Sequence, residues 1–287
     1  MSNSSIQSFA LKLKPMNLEQ YLQRIGYTGS LEPNLETLIA VHRAHLLEIP
    51  YENLDIHFGR KLELNPARAF QKIVLEHRGG WCYEMNGLLA WALQELGFDI
   101  ELLACAVGQN NASANHLALK VNLEQPYLAD AGFGNGILEP IPLIPGVYHQ
   151  QSRDFTLEQD GENWIFQIPS GSAAAVGNSF EFTLEAQKLL HFQDRCTYLQ
   201  TSPESGFVRV VVAHRMTETG VQSLRGAILQ TISHGIESSR TLENYADYDT
   251  ALREVFDLHL DTRALWSKVW ASHLAWLENL PATSQTR

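Results

Sequence analysis

The hydrophobic spacing of this chain changes once, near Asp99, and that change limits what it can fold into. Before it, apolar residues recur every three or four positions, the spacing of helices with one buried face. Leu18, Tyr21, Leu22 and Ile25 follow Asn17 and stop at Gly26. Asn34 caps a second helix that Pro50 ends. Asn65-Pro66 opens a third over PARAFQKIV, since proline at the first helical position loses no useful donor. A fourth begins near Cys82, with an apolar stripe of Met85, Leu88, Leu89, Ala92, Leu93 and Leu96, and stops at Gly97. After Asp99 come short apolar strands divided by polar turns: ELLACAV, HLALKV and YLADAG, then FTLEQ and WIFQI around the hairpin dipeptide Asp160-Gly161, then SFEFTL. Residues 169–179 read as a Gly/Ala/Ser loop. A helix over 189–199 leads into the strand FVRVVVAHR, and helices near 251–256 and 264–277 precede a polar tail. The expectation is an α+β chain: a helical part, a β-rich part and a smaller mixed part.

Composition narrows the function. At 287 residues the chain suits two domains or one with appendages. Its 45% hydrophobic and 18% charged residues argue against disorder. With 21 Lys and Arg against 32 Asp and Glu, the formal net charge is −11, which speaks against a nucleic-acid partner. Backbone amides and a few local cations can still hold a phosphorylated cofactor. No apolar run approaches the roughly 18 residues of a membrane span, and the segment MSNSSIQSFALKLKPMNLEQ lacks signal-peptide features. Three cysteines make a disulfide framework a poor reading, so a reducing, cytoplasmic setting without a membrane partner is expected.

The segment with the most chemical content is Arg78-Gly79-Gly80-Trp81-Cys82-Tyr83-Glu84-Met85-Asn86. Two glycines put a cysteine at the start of an amphipathic helix, where unpaired amides favour a thiolate. A thiolate nucleophile needs a base, and the base needs an orienting group. His116 opens the strand HLALKV and Asp130 lies in YLADAG. If the two strands pair with Val121 facing Tyr127, His116 and Asp130 lie diagonally on one face. On the residues alone, Cys82 also reads as a small buried hydrophobe, His116 as a strand-end histidine and Asp130 as a turn aspartate. Gly132, Gly134 and Gly136 do not have the spacing of a dinucleotide fingerprint, and His191, His214 and His234 show no metal-ligand spacing.

These residues resemble the arylamine N-acetyltransferase family, whose nucleophilic cysteine follows Arg-Gly-Gly-x. The likeness continues, in order, through Ile49-Pro50-Tyr51-Glu52-Asn53-Leu54, Asn115-His116-Leu117, Tyr127-Leu128-Ala129-Asp130-Ala131-Gly132-Phe133-Gly134, Tyr198-Leu199-Gln200-Thr201-Ser202-Pro203 and residues 251–260. The resemblance implies a helical domain over 1–95, a β-barrel over 96–205 and an α/β lid over 206–287. It implies a Cys82, His116, Asp130 triad and a ping-pong reaction that uses acetyl-coenzyme A to acetylate a small aromatic amine or hydrazine, with no metal.

The same resemblance places Phe133 and Gly134 by the acceptor pocket, Asn115 among the substrate or cofactor contacts and Tyr198 near coenzyme A. It makes Arg78 and Glu52 a structural ion pair. Glu84 reads as structural, because a carboxylate beside a thiolate opposes its activation. Tyr51 stands where the family often has Phe, and Glu204 where it has a small polar residue. Cys105 reads as core and Cys196 as an incidental helix residue. A cysteine hydrolase, a transglutaminase-like transferase and a non-enzymatic buried thiol are the competing readings of the same residues.

Overall fold

The computed structural model describes residues 13–108, 114–168 and 178–279. Most of the loop expected at 169–179, most of the polar tail and the first residues of the chain lie outside these.

Five helices come first: α1 (Leu18–Arg24), α2 (Leu35–Glu48), α3 (Leu54–His57), α4 (Pro66–Phe70) and α5 (Cys82–Glu95). The side chains of Asn17, Asn34 and Asn65 each accept a backbone N–H of the first turn, which supplies donors that would otherwise go unmet. After α4 the chain continues as a wider π turn, Gln71–Leu75. These elements bury Leu38, Val41, Phe70, Ile73, Leu88, Leu89 and Leu93 in one core, which also takes Leu119 and Val121 from the sheet beyond.

Strands fall into two antiparallel sheets among the described residues. The short β1 (Tyr51–Glu52) is considered below. The strands β2 (Asp99–Val107), β3 (His116–Asn122), β4 (Tyr127–Ala129), β5 (Ile141–Pro142), β6 (Gly146–Gln150), β7 (Arg153–Asp160), β8 (Asn163–Gln167) and β9 (Ser179–Gln187) form the first. Their order is β5-β4-β3-β2-β9-β8-β7-β6, a nearly closed eight-stranded barrel in a mixed α/β fold. Phe155, Phe166, Phe180 and Leu103 fill its interior. The β3–β4 pairing sets Val121 opposite Tyr127, the register on which a meeting of His116 and Asp130 depends, although the ladder stops at Ala129 opposite Leu119. Asp130 therefore sits just past the last paired residue.

The final third departs from expectation. Helix α6 (Gln193–Thr201) is followed not by one strand but by α7 (Gly206–Arg209) and only then by β10 (Val212–Thr217). The buried Asn53 side chain forces this break. It donates to the carbonyls of Phe207 and Val210 and accepts from the Val212 amide, satisfying groups a continuous strand would have paired elsewhere. The strands β11 (Gly220–Arg225), β12 (Ile228–Ser233) and β13 (Ile236–Thr241) then form a meander with β10, and β1 pairs with the far side of β10. Helices α8 (Tyr245–Thr250) and α9 (Arg263–Glu278) close the described chain, joined through a π turn at Ala251–Val255. Their Tyr248, Leu252, Leu265 and Val269 pack with Leu224 and Ala213 of the second sheet. No helix among the described residues is long and apolar enough to cross a membrane.

One polar cluster is buried where β1, α3 and α5 converge. Arg78 donates to Glu52 at 2.7 Å and to Asp55 at 3.0 Å. Lys72 lies 2.8 Å from Glu84, 3.2 Å from Asp55 and 3.4 Å from Glu52. Glu52, with no exposed surface, also accepts the Leu54 amide. Replacing Glu52 by alanine removes one of the three carboxylates that hold Lys72 and Arg78 and leaves the Leu54 amide without its acceptor, which should cost about 1–3 kcal/mol, read as a fall in the urea midpoint. Gly87→Ala, inside α5 where an added Cβ meets nothing within 4 Å, should instead stabilise the fold by about 0.5–1 kcal/mol.

Candidate active site

The loop before α5 has glycines because it lies against another segment. A Cβ on Gly79 would sit 2.1 Å from the Pro50 carbonyl oxygen, and one on Gly80 would sit 2.9 Å from Glu84 Cβ. With no side chains there, Gly80 donates to Pro50 and accepts from the Glu52 amide. The Glu84 carboxylate reaches back to the Trp81 amide at 3.2 Å, fixing the start of the helix. Cys82 is thereby held as the first residue of α5.

From the other side comes the loop after β4. A Cβ on Gly132 would lie 2.8 Å from Cys82 Cα and 2.9 Å from its carbonyl oxygen. Only glycine lets this loop cross the Cys82 backbone so closely. Gly134, at φ +84°, turns the chain away against the ring of His214.

Asp130 is held from every direction. One carboxylate oxygen accepts from His116 Nε2 at 2.7 Å. The other accepts from Asn86 Nδ2 and from the Gly132 amide, each at 2.8 Å. Asn86, one turn after Cys82 on α5, also donates to the Leu117 carbonyl and accepts the Ala131 amide at 2.8 Å. The Asp130 amide donates to His42 Nε2 at 3.1 Å, and the other ring nitrogen of His42 bonds the Leu138 carbonyl. Burial pushes the His42 pKa down to about 4, so the ring is neutral and its tautomer is set by these two partners.

Cys82, His116, Gly132 and Phe133 line one small cavity together with Tyr51, Val107, Asn115 and Phe207. The ring of Phe133 stands edge-on to His116, with centroids 5.2 Å apart. Among the described residues no hydrogen bond joins the Cys82 thiol to His116. Burial above all pushes that thiol well above its usual pKa, with Cys196, Asp130 and Glu84 acting in the same direction; a bond from the Tyr83 amide lowers it. The helix-start effect expected from the sequence is present in that amide, but burial outweighs it.

The other predicted residues differ in place. Asn115 uses its side-chain amide on the Val107 backbone, at 2.7 and 2.9 Å, while still bordering the cavity. Tyr198 lies away from it, more than a third exposed, with its hydroxyl on Glu204 at 3.3 Å and Arg195 over its ring. Cys105 is buried in the barrel interior. Cys196 is not incidental: it is buried among Trp81, Cys82, Tyr83 and Phe192, and burial raises its pKa to about 12. The sequence reading missed Asn86 and His42. A polar residue four positions after the nucleophile, on the same helical face, was the available sign of the first. His42 carried none. Among the described residues no group of three or more His, Cys, Asp or Glu side chains is placed to hold a metal ion.

Comparison with known proteins agrees with this geometry. The family model described as N-acetyltransferase matches residues 34–265. The arylamine N-acetyltransferase pineal gland isozyme of Gallus gallus is 34% identical over 278 residues, covering 86% of this chain and 96% of that protein. Arylamine N-acetyltransferase 1 of Bos taurus is 32% identical with the same coverage. Among solved structures, the arylamine N-acetyltransferase of Mycobacterium marinum in complex with CoA superposes with a TM-score of 0.80 at 27% identity, covering 89% of this chain and 98% of that one. The M. smegmatis enzyme superposes at 0.81 with 30% identity, covering 90% and 98%. With its barrel, its glycine-bounded cysteine and these relatives, the chain belongs to the arylamine N-acetyltransferase family and is an acyltransferase.

Proposed function

We propose that the chain acetylates small aromatic amines and hydrazines from acetyl-coenzyme A by a ping-pong reaction through an acetyl-cysteine at Cys82. The observation that best supports this reading is the buried His116–Asp130 bond, 2.7 Å long, in the cavity wall that also carries Cys82. Because Asp130 holds Nε2, the remaining ring nitrogen of His116 is the one left for the thiol. In the first half-reaction His116 takes the thiol proton as sulfur attacks the thioester carbonyl, and backbone amides at the start of α5 hold the oxyanion. Coenzyme A leaves as the thiol, taking that proton back. In the second, the amine attacks the acetyl-cysteine, His116 accepts the amine's proton, and collapse releases the amide and regenerates Cys82.

A thiol raised by burial ionises here only by passing its proton to His116, which creates a pair of charges and no net one. Asp130 favours that exchange by orienting the ring and stabilising its charged form. Val107, Phe133 and Phe207 give the cavity apolar walls. An aromatic amine, uncharged at neutral pH, enters such a place at less cost than an alkyl ammonium. The cavity has room for no more than a water-sized guest, about 10 Å³, so on this reading acyl loading requires its walls to part.

The same proposal assigns Phe133 and Gly134 to the acceptor side and Asn115 and Tyr198 to substrate or coenzyme contacts. Arg78 with Glu52 has a structural role, and the domains run 1–95, 96–205 and 206–287. It takes the protein to be cytoplasmic, with no nucleic-acid, membrane or metal partner.

Mass spectrometry after mixing with acetyl-coenzyme A alone should find an acetyl group on Cys82 that an aniline-type amine removes. Folded protein that stays unmodified would overturn the proposal. His116→Gln should slow acetyl transfer by about 10²–10⁴-fold and slow iodoacetamide labelling of Cys82 at neutral pH; an unchanged labelling rate would separate His116 from the thiol.

A further inference from the structure

A second cavity, of about 480 Å³, lies on the other side of α7. Phe207 lines the cavity at Cys82, while Val208, Arg209 and Val210 line this one, so one short helix forms the wall between them. The rest comes from the β11–β12 turn, α3 and α9. Its lining is apolar apart from Ser272, two histidines (His57 and His273) and three cations, Arg209, Arg225 and Lys268. No carboxylate among the described residues lines it. In a chain of net charge −11, this concentration of one sign is notable.

Several arginines elsewhere on the surface are matched. Arg43, Arg60 and Arg253 each have a carboxylate within 4 Å. Arg209 and Lys268 have none among the described residues. The bases are also close enough to repel each other. Burial, and then the charge of Arg209, lower the pKa of Arg225, while burial is the main cause of the lowered His57 pKa and Lys268 adds to it. Like charges gathered in a concave, partly dry place raise the local concentration of an anion. At the edge stands Trp276, about half exposed and 5.6 Å from the His273 ring, an apolar plate on which a flat group could lie.

We propose that this cavity binds an organic phosphate ester, with its phosphate against Arg209, Arg225 and Lys268 and its ring-bearing body on the apolar wall toward Trp276. Two sources share that chemistry: the phosphorylated adenosine head of a coenzyme A whose sulfur end reaches Cys82 past α7, and an independent phosphate ester. The site itself does not rest on the acetylation reading.

Calorimetric titration of the full chain with adenosine bisphosphate and with inorganic pyrophosphate tests it. Saturable binding that weakens with added salt is expected, falling about tenfold or more in the Arg209→Glu, Lys268→Glu double variant and kept in Lys268→Arg. Both reversals lie on exposed positions, and an unchanged thermal midpoint verifies that the variant folds. Steady-state rates then identify the source. A raised KM for acetyl-coenzyme A, with an unchanged rate on the phosphate-free donor p-nitrophenyl acetate, supports the site with the coenzyme head as ligand. An unchanged KM with lost calorimetric binding supports it with a separate phosphate ester. No saturable binding of either probe, or equal binding by wild type and double variant, overturns the proposal whether or not the chain transfers acetyl groups.

Discussion

A buried carboxylate tolerates little misalignment, and the Asp130 carboxylate fixes much of this molecule. Removed from water, it is costly unless donors meet its oxygens. Those donors come from three places: His116 at the head of β3, Asn86 on α5, and the amide of Gly132 in its own loop. His42 on α2 holds its backbone from a fourth. Barrel and helices must therefore meet in one register before the charge is satisfied. Asn86 ties the two parts further, since the same side chain bonds Leu117 and Ala131. Fold and site share one set of bonds, so moving α5 relative to the barrel disturbs both together.

The second buried charge cluster complements the first. Lys72 and Arg78 bind three carboxylates beneath the loop that leads to Cys82. Arg60 adds a third cation at Asp55 from the surface, so the cluster carries no excess of positive charge, and Glu84 is among the groups that oppose ionisation of the thiol. This cluster cannot serve to activate sulfur. It holds the Gly79-Gly80 crossing against Pro50 and caps α5, which is a matter of position. Among the described residues that line the thiol cavity, His116 is the one base.

Sequence patterns disclosed what depends on local chemistry. Asn caps, Pro66 and Gly97 marked helix ends because each acts within a few residues. Alternation and a short turn left the β3–β4 register open between neighbouring alternatives, and only the family resemblance favoured the one observed. Long-range effects stayed hidden. The break between α7 and β10 is made by Asn53, some 150 residues earlier in the chain. β13 reads IESSRT and is exposed throughout, so no apolar alternation announces it. Cys196 enters the shell around Cys82 only once α6 is docked. The burial that raises the thiol's pKa is likewise a property of assembled layers, and no helix-start argument from nine residues could have weighed it.

Burial of Cys82 also bears on which acyl chemistry the proposed mechanism would favour. A hydrolase must bring water to its acyl-enzyme, and a transferase must keep water away until the second substrate arrives. Cys82 and His116 are each 3% exposed or less, with Phe133 and Phe207 among the residues closing the space above them. On the proposed mechanism an acyl group on that sulfur would fill the space that its own loading opens and leave little for a positioned water. An aromatic amine differs from water in the way such walls can detect: it gains by burying its ring against them, and that gain offsets the work of parting them. On the proposed mechanism, the burial that makes the thiol hard to ionise is the same feature that would favour transfer to an amine over loss to solvent.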